Sequence, residues 1–392
     1  MKFFELEEVE NKGAKIKVVG VGGGGGNAVN SMIVSNLQGV EFIVINTDAQ
    51  VLESSLAHKR LQIGGALTKG LGAGANPEVG RQAAEDDRDL IEDVIKGADM
   101  VFITAGMGGG TGTGASPVVA EVAKELGILT AAIVTRPFLF EGSKRARNGE
   151  LGIKELKKHV DAIIIVHNNR LLSVTEKQTP WLEALNIANE VLRQAVKGIT
   201  DLILVPGLIN HDFSDIKTIL SDSGKALMGI GRSTGENRAV IAAKAAVNSP
   251  LLEETSIDGA RGVLINITGG SSLSFHEISE AASFIRDTAH EDAEIIFGSV
   301  INPDLEDEMI VTVIATGFDD KPKTTMPSYD KWRPARDVTS LKGSGKILSK
   351  GVAQDDDKVF EIPTFMRRPN YSKEVDAYKP EVAGLKAKDN GN

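Results

Sequence analysis

Two glycine-rich segments, each lying between an apolar run and a helical pattern, constrain the fold of this chain more than any other feature. Residues 20–27 read GVGGGGGN, and residues 106–114 read GMGGGTGTG. Glycine lets the backbone approach a ligand closely, and the free N–H groups at a helix start attract anions. Because the strand–glycine–helix order occurs twice, the sequence predicts a parallel α/β sheet with an anion site at the carboxyl ends of its strands.

Apolar runs and helical patterns alternate along the first half of the chain. Buried strands are predicted at 15–21, 42–46, 100–104, 130–135 and 162–166, and helices at 27–37, 78–96 and 115–126. A long helix is predicted from residue 180 to about residue 199, with Pro180 in its first turn. After it, strands at 262–268, 293–301 and 308–316 and helices at 237–247 and 275–289 indicate a smaller second domain.

The composition excludes several classes of site. The 392 residues contain no Cys, which excludes disulfides, Cys-ligated zinc, iron–sulfur clusters and thiol nucleophiles. The net charge of −10 argues against a general nucleic-acid binder. The six His never occur at i, i+4, so no His-based metal site is expected. No apolar run approaches the ~18 residues of a membrane span, and the acidic first residues do not resemble a targeting signal, so we expect a cytoplasmic protein.

The last part of the chain differs in composition from the rest. Residues 319–392 contain 15 Lys and Arg, 12 Asp and Glu, 6 of the 13 Pro and all three Tyr, with few aliphatic residues. Such a segment buries too little apolar surface to offset the entropy lost on ordering. The sequence therefore predicts a folded body up to about Phe318, followed by a disordered tail.

The first glycine segment leaves a dinucleotide site as an alternative. Gly20, Gly22 and Gly25 satisfy the G-x-G-x-x-G pattern of such sites, which place an acid at the end of the next strand about 20 residues on. Asp48 comes 28 residues after Gly20, and Glu41, 21 residues after it, begins the strand. The match is poor, and an oxidoreductase that uses NAD remains the first rival interpretation.

A polyphosphate explains the glycines better. A third glycine-rich loop, residues 70–77, also precedes a helix, and no Walker A sequence occurs in the chain. Three loops of this kind suit phosphates held by backbone amides without a lysine. Hydrogen bonds to charged groups are worth ~1.5–3 kcal/mol each, so several together hold a triphosphate tightly.

These segments resemble a known family. Residues 108–114, GGGTGTG, resemble the tubulin signature loop. Residues 46–48, 72–77, 135–145 and 207–215 match, in order, motifs of the FtsZ family of bacterial tubulin-like cell-division GTPases. The resemblance extends from about residue 14 to 318 and resumes in the tail.

The resemblance implies an α/β fold of the tubulin/FtsZ type. A Rossmann-like parallel-sheet GTPase domain is joined by a long central helix to a smaller α+β domain, and a disordered tail follows. The implied segments are a flexible N-terminus (1–13), a nucleotide-binding domain (14–179), the central helix (180–203), a catalytic loop with its following helix (204–222), a C-terminal activation domain (223–318), a disordered linker (319–357), a partner-binding peptide (358–369) and a disordered extension (370–392).

The resemblance also assigns a nucleotide pocket for GTP and GDP. Glu141 and Arg145 are expected at the ribose end, and Asn168 and Asn189 at the guanine edge. Many relatives have Asp at the position of Asn189, and relatives often stack Phe on the base where this chain has Leu185. The remaining residues expected in the pocket are Gly22, Gly23, Gly24, Gly25, Gly26, Asn27, Gly108, Gly109, Gly110, Thr111, Gly112 and Thr113.

Two acids begin a predicted helix near residue 212. Asp212 and Asp215 lie three residues apart, hence on one face, and by themselves they read as an N-cap acid and a first-turn acid. The resemblance implies instead that this loop, with Asn210, enters the nucleotide pocket of the next subunit. There the two carboxylates would orient the water that attacks the γ-phosphate, with Mg²⁺ bridging the phosphates.

Such an arrangement implies head-to-tail filaments that form the cytokinetic ring at mid-cell. In the tail, Ile362, Pro363, Phe365, Met366, Arg367 and Arg368 form an apolar and basic cluster. This cluster resembles the peptide by which the family docks on membrane tethers such as FtsA and ZipA. A structural polymer that binds nucleotide without cleaving it is the second rival interpretation.

Overall fold

The computed structural model describes residues 13–171, 178, 180–205, 212–252 and 257–318. Within these residues ten strands form one sheet. The strands are β1 Ile16–Val21, β2 Val40–Asn46, β3 Lys59–Gln62, β4 Met100–Gly106, β5 Leu129–Arg136, β6 Ala162–His167, β7 Gly224–Ser233, β8 Gly262–Gly269, β9 Glu294–Ile301 and β10 Met309–Thr316.

Helices cover both faces of this sheet. They are α1 Gly22–Val34, α2 Ala49–Glu53, α3 Gly65–Thr68, α4 Pro77–Asp86, α5 Arg88–Ile95, α6 Thr111–Glu125, α7 Ser143–Leu156, α8 Asn168–Leu171, α9 Trp181–Leu204, α10 Phe213–Leu220, α11 Arg238–Val247 and α12 Phe275–Arg286. None of these described helices is both long enough and apolar enough to cross a membrane.

The strand order divides the sheet into two parts. It runs β3-β2-β1-β4-β5-β6-β7-β10-β8-β9. Strands β1 to β6 are parallel, and β7 continues them through a short parallel pairing with β6. Strand β10 is antiparallel to β7 and β8. The parallel sheet predicted for the first part and the smaller mixed α+β part predicted after the long helix are thus confirmed.

The parallel strands are apolar on both faces because both are covered by helices. Val18 and Phe102 belong to a core cluster that also includes Val196 of α9. Val19 and Ile103, one residue further along the same strands, belong to a second cluster with the helices on the other face. A third cluster fills the second part between β8, β10, α11 and α12.

The long helix α9 connects opposite edges of the parallel sheet. With 24 residues it is about 36 Å long. Its end lies at the amino edge, because a Cβ added to Gly39, just before β2, would lie 2.7 Å from Leu204 Cδ1. Strand β7 also begins at this edge, where Gly224 pairs with Ala162, the first residue of β6.

Several predicted boundaries were wrong. Helix α1 begins at Gly22 rather than at residue 27, and α6 begins at Thr111 rather than at residue 115, so both helices start inside the glycine-rich segments. The single helix predicted at 78–96 is two helices, α4 and α5, which meet at Asp87. The Asp87 carboxylate accepts a hydrogen bond of 2.6 Å from the Gly64 N–H, and this contact with a distant loop holds the break.

Candidate functional site

A cleft of about 320 Å³ opens at the carboxyl edge of the parallel sheet. It lies where β4 and β5 end and where α1 and α6 begin, with α9 along one side. The residues that line it are Gly23, Gly24, Asn27, Gly106, Met107, Gly109, Gly110, Thr111, Gly112, Thr135, Pro137, Glu141, Arg145, Asn168, Leu185, Ala188, Asn189 and Leu192. Both glycine-rich segments therefore contribute to one concave site, as the sequence predicts.

The first glycine segment divides into packing residues and cleft residues. A Cβ on Gly25 would lie 2.3 Å from the carbonyl oxygen of Thr104, so only glycine lets α1 approach β4 this closely. A Cβ on Gly22 would lie 2.7 Å from the Gly112 backbone nitrogen. By contrast, a Cβ on Gly23 would meet nothing within 4 Å, because this residue faces the open cleft.

The second glycine segment is organised in the same way. The Gly108 N–H donates a 2.8 Å hydrogen bond to Thr113 Oγ1, which shapes the turn between β4 and α6. A Cβ on Gly109 would meet nothing within 4 Å, whereas one on Gly110 would lie 2.8 Å from Ala73 Cβ. The third loop, which contains Ala73, thus packs behind the second and does not itself line the cleft.

The two helix starts at the cleft lack side-chain caps. The N-cap residues are Val21 for α1 and Gly110 for α6, and neither provides a side-chain acceptor to the first turn. The backbone N–H groups of these first turns, together with the helix dipoles, favour a bound anion. The site is therefore suited chemically to phosphate groups.

An ion pair stands at one side of the cleft. The Arg145 guanidinium is bonded to the Glu141 carboxylate, which also accepts a 2.9 Å hydrogen bond from the Phe138 N–H. The Leu139 N–H donates to Asn169 Oδ1 at 3.0 Å, and this bond ties the loop to the start of α8. The two residues expected at the ribose end are thus adjacent and fixed to the wall that contains Asn168.

Three amide side chains, those of Asn27, Asn168 and Asn189, line the cleft. Asn168 is 8% exposed, and its Oδ1 is buried without a hydrogen-bond partner in the described part of the chain. Asn189, half-buried, and Leu185 line the cleft from α9, and Asn27 lines it from α1. A buried unpaired acceptor is costly, so the Asn168 amide fits a site completed by a ligand that donates a hydrogen bond.

The two acids near residue 212 do not line this cleft. Asp212 is the N-cap of α10, and its Oδ1 accepts a 3.0 Å hydrogen bond from the Asp215 N–H. Both side chains are exposed. They precede β7, which starts at the amino edge of the sheet, opposite to the cleft. Asn210 lies outside the described residues.

Some residues named by sequence reasoning lie behind the cleft wall rather than on it. Gly22, Gly25, Gly26, Gly108 and Thr113 are not among the lining residues, and the contacts of Gly25 and Thr113 show that they support the wall. Sequence reasoning missed Thr135 and Pro137, although both belong to the motif at 135–145. Their position directly after β5, at the same edge as the glycines, is the signal that would have identified them.

No group of three or more His, Asp or Glu suited to a metal ion occurs among the described residues. The tail peptide with Ile362, Pro363, Phe365, Met366, Arg367 and Arg368 lies outside the described part of the chain, as does the predicted disorder of the tail.

Comparison with known proteins identifies the family of both parts of the chain. The profile of the Tubulin/FtsZ family, GTPase domain, matches residues 15–176, and that of the FtsZ family, C-terminal domain, matches residues 224–319. The first profile covers both glycine segments and implies guanine-nucleotide binding and GTP hydrolysis. This favours the GTPase interpretation over the dinucleotide alternative.

Solved structures give the same result. The empty FtsZ dimer of M. jannaschii is 42% identical over 79% of this chain and 90% of that chain, with a TM-score of 0.76. A mutant FtsZ of the same organism is 42% identical over 78% and 92%, with a TM-score of 0.75. CetZ1 from Haloferax volcanii, a GDP-bound monomer, is 21% identical over 79% and 96% with a TM-score of 0.68, which supports the fold alone. This chain therefore belongs to the FtsZ family, with the tubulin/FtsZ fold.

Proposed function

We propose that this protein binds GTP, hydrolyses it to GDP and phosphate, and assembles head-to-tail into the filaments of a cytokinetic ring. The observation that supports this most directly is the cleft itself. Two uncapped helix starts converge there, and Gly23 and Gly109 leave open space above their backbones. Membership of the family indicates that the nucleotide is GTP. The backbone N–H groups of the cleft provide hydrogen-bond donors for its phosphates.

The cleft residues divide into three parts in this proposal. The first turns of α1 and α6, with Gly23 and Gly110, hold the phosphates. Glu141 accepts hydrogen bonds from the ribose hydroxyls, and Arg145 faces phosphate oxygens. Asn168 and Asn189 contact the base, and the unpaired Asn168 Oδ1 is satisfied by a donor on the base edge. All the groups needed for positioning the nucleotide thus come from one protomer.

Mg²⁺ is proposed as a cofactor bound chiefly through the phosphates. Glu141 is the single carboxylate among the described residues that line the cleft, and it is paired with Arg145. Mg²⁺ keeps several waters and commonly binds to substrate phosphates rather than to an all-protein cage. A cleft rich in backbone N–H groups and poor in free carboxylates fits that mode. When bound, the ion would neutralise charge on the phosphates.

Hydrolysis is proposed to be completed in trans. Asp212 and Asp215 follow the end of α9 and precede β7, which starts at the amino edge of the sheet, whereas the cleft lies at the carboxyl edge. A head-to-tail contact brings the acid edge of one protomer to the cleft of the next. There Asp212 and Asp215, with Asn210, would orient and polarise the attacking water. The FtsZ of M. jannaschii, 42% identical, is described as a dimer, which supports self-association.

We base the proposed cellular role, cell division, on the family and on the sequence of the tail. We place the protein in the cytoplasm at the mid-cell division site, where residues 358–369 dock on tethers of the FtsA and ZipA kind. Ile362, Phe365 and Met366 supply an apolar contact, with Pro363, and Arg367 and Arg368 supply charge. Deleting 358–369 is expected to leave assembly intact and abolish tether binding in a pull-down.

Light scattering and phosphate release together test the function. With GTP and Mg²⁺ we expect assembly, and phosphate release whose rate per molecule rises with protein concentration. GDP and NAD are expected to give neither signal. Binding of NAD without GTP-dependent assembly would support the oxidoreductase alternative, and assembly without phosphate release would support a polymer that does not cleave nucleotide.

Asp212 has two roles in this proposal, as the N-cap of α10 and as a catalytic carboxylate, and one substitution separates them. Asn is about as good an N-cap as Asp, so Asp212→Asn keeps the start of α10 while removing the charge. Asp212→Ala also loses the cap, at about 1 kcal/mol. We expect both variants to bind GTP and join filaments but to release phosphate very slowly. Turnover by Asp212→Asn at the unsubstituted rate would refute the role given to this carboxylate.

A further inference from the structure

The base end of the cleft contains amides and no free carboxylate. We call Asn27, Asn168 and Asn189, which line it from α1, α8 and α9, the amide wall. Asn168 is the buried member, and Asn189 is half-buried. The one carboxylate among the described lining residues, Glu141, is bonded to Arg145. The side chains that line the base end of the cleft itself are therefore neutral.

The acid next to Asn189 on α9 does not line the cleft and is engaged by other side chains. Glu190 accepts 2.6 Å hydrogen bonds from Arg193 Nε and Gln194 Nε2. It lines a neighbouring cavity with Arg232 and, with Asn27 and Asn189, a groove beside the cleft. Burial alone would raise the pKa of Glu190, but the hydrogen bond and charge of Arg193 hold it below its usual range. Glu190 thus stays ionised and bonded to Arg193 and Gln194, and it is not among the residues that line the cleft.

Amides and carboxylates read a purine differently. A carboxylate only accepts hydrogen bonds, whereas an amide has one accepting and one donating end and presents either after a flip. The 6-oxopurines differ at C2, where guanine has an amino donor, hypoxanthine a hydrogen and xanthine a carbonyl acceptor. A carboxylate at the wall would repel the xanthine carbonyl, and an amide can donate to it.

We propose that the amide wall binds 6-oxopurine nucleoside triphosphates with little regard to the C2 substituent, so that the cleft accepts XTP and ITP as well as GTP. Asn189 is the residue that sets this breadth. The proposal rests on the proposed function, because it assumes that the cleft binds a purine nucleoside triphosphate, and it names the substrate class of that site.

Asn168 restricts the nucleotides that bind to those with a 6-oxopurine base. Its buried Oδ1 lacks a partner in the described residues and requires a donor from the ligand. The N1–H of a 6-oxopurine supplies one, whereas N1 of adenine is itself an acceptor and leaves the oxygen unpaired unless the Asn168 amide flips. An unpaired buried polar group lowers affinity substantially. ATP is therefore expected to bind more weakly than the 6-oxopurine nucleotides.

Binding to the full-length protein tests the proposal. We would measure the Kd of GTP, ITP, XTP and ATP with Mg²⁺ by displacement of a fluorescent GDP analogue, at pH 6 and pH 8 because xanthine is a weak acid. ITP and XTP are expected within about tenfold of GTP, since one hydrogen bond is exchanged or lost, and ATP at least about a hundredfold weaker.

Asn189→Asp is the informative variant, and Asn186→Asp is its matched control. Asn186 is exposed and lies about one turn earlier on α9. It lines the groove beside the cleft, between α1 and α9, and does not line the cleft itself. Asn189→Asp is expected to fold, as an unchanged circular-dichroism spectrum would show, and to weaken XTP binding relative to GTP binding on the order of a hundredfold. Asn186→Asp is expected to bind all nucleotides as the unsubstituted protein does.

The failures are distinguishable. If the unsubstituted protein binds GTP well but XTP a hundredfold or more weakly, the proposed breadth is wrong and the proposed function stands. If Asn186→Asp loses XTP as strongly as Asn189→Asp does, Asn189 does not set the breadth. If no triphosphate binds at all, the proposed function itself fails.

Discussion

The Thr47 hydroxyl lies 2.7 Å from the Thr111 hydroxyl, and both groups are buried. Thr47 follows β2, and Thr111 is the first residue of α6. This hydrogen bond fixes the start of a helix whose first turn faces the cleft, and it joins two motifs that are 64 residues apart in sequence. The geometry of the phosphate site thus depends also on Thr47, a side chain outside the glycine segments.

Thr47→Val should destabilise the protein by about 1–3 kcal/mol, because the buried Thr111 hydroxyl loses its partner. Urea unfolding measures this. Thr47→Val/Thr111→Val should cost less than the sum of the single variants, since both lose the same bond. Thr288→Val is the control, because that hydroxyl donates a local hydrogen bond to Phe284 O, near the end of α12. Additive losses would mean that the two hydroxyls do not interact.

Gly25→Ala and Gly23→Ala should separate folding from binding. The added methyl at Gly25 lies 2.3 Å from Thr104 O, so this variant should unfold at a much lower temperature. At Gly23 the methyl meets open space in the cleft, so the melting temperature should be kept or slightly raised. Gly23→Ala should nevertheless weaken GTP binding. Unchanged GTP affinity in this variant would contradict the placement of phosphate above Gly23.

Acid should weaken the second domain through Glu277. The hydrogen bond from Arg238 lowers the pKa of Glu277 to about 2, and the Ser274 backbone and hydroxyl also bond to it. Because the folded pKa is lowered, this stabilisation is complete above the unfolded value near 4.5 and is lost as pH falls from there towards 2.

Glu277→Gln should therefore lower stability at pH 7 and flatten its fall between pH 5 and pH 3, as measured by urea midpoints. Its cost should be about 3 kcal/mol, since Arg238 is buried and, among the described residues, keeps Asp307 as its one ionised partner. Glu280→Gln on the same helix, whose carboxylate is paired with the exposed His276, is the control. Equal pH profiles for the two variants would rule out this role of Glu277.

Much of the parallel sheet was predictable because its strands are apolar on both faces. Strand β3 was not, because its residues Lys59 to Gln62 are mostly exposed and polar and pair only with β2 at the sheet edge. Strand β7 was missed because its glycines weaken a strand pattern. A Cβ on Gly229 would lie 1.9 Å from Ala246 O, so that glycine is required by the close approach of α11, which no local pattern reveals.

The candidate site was predictable where a motif and an edge of the sheet coincide. Gly23, Gly109 and Asn168 all follow parallel strands and do line the cleft. The supporting role of Gly25 was not predictable, because its contact with Thr104 depends on how α1 packs on β4. The start of α1 at Gly22 has the same cause, since packing overrides the low helix propensity of five glycines.

Mixing two inactive variants tests the central proposal, that each active centre is shared between protomers. Gly109→Phe fills the open space of the cleft and keeps Asp212, whereas Asp212→Asn keeps the cleft and lacks the charge. In a shared centre about a quarter of the contacts in a 1:1 filament join an intact cleft to an intact acid. Phosphate release should then reappear on mixing, far above either variant alone. A mixture as inactive as its components would contradict the account.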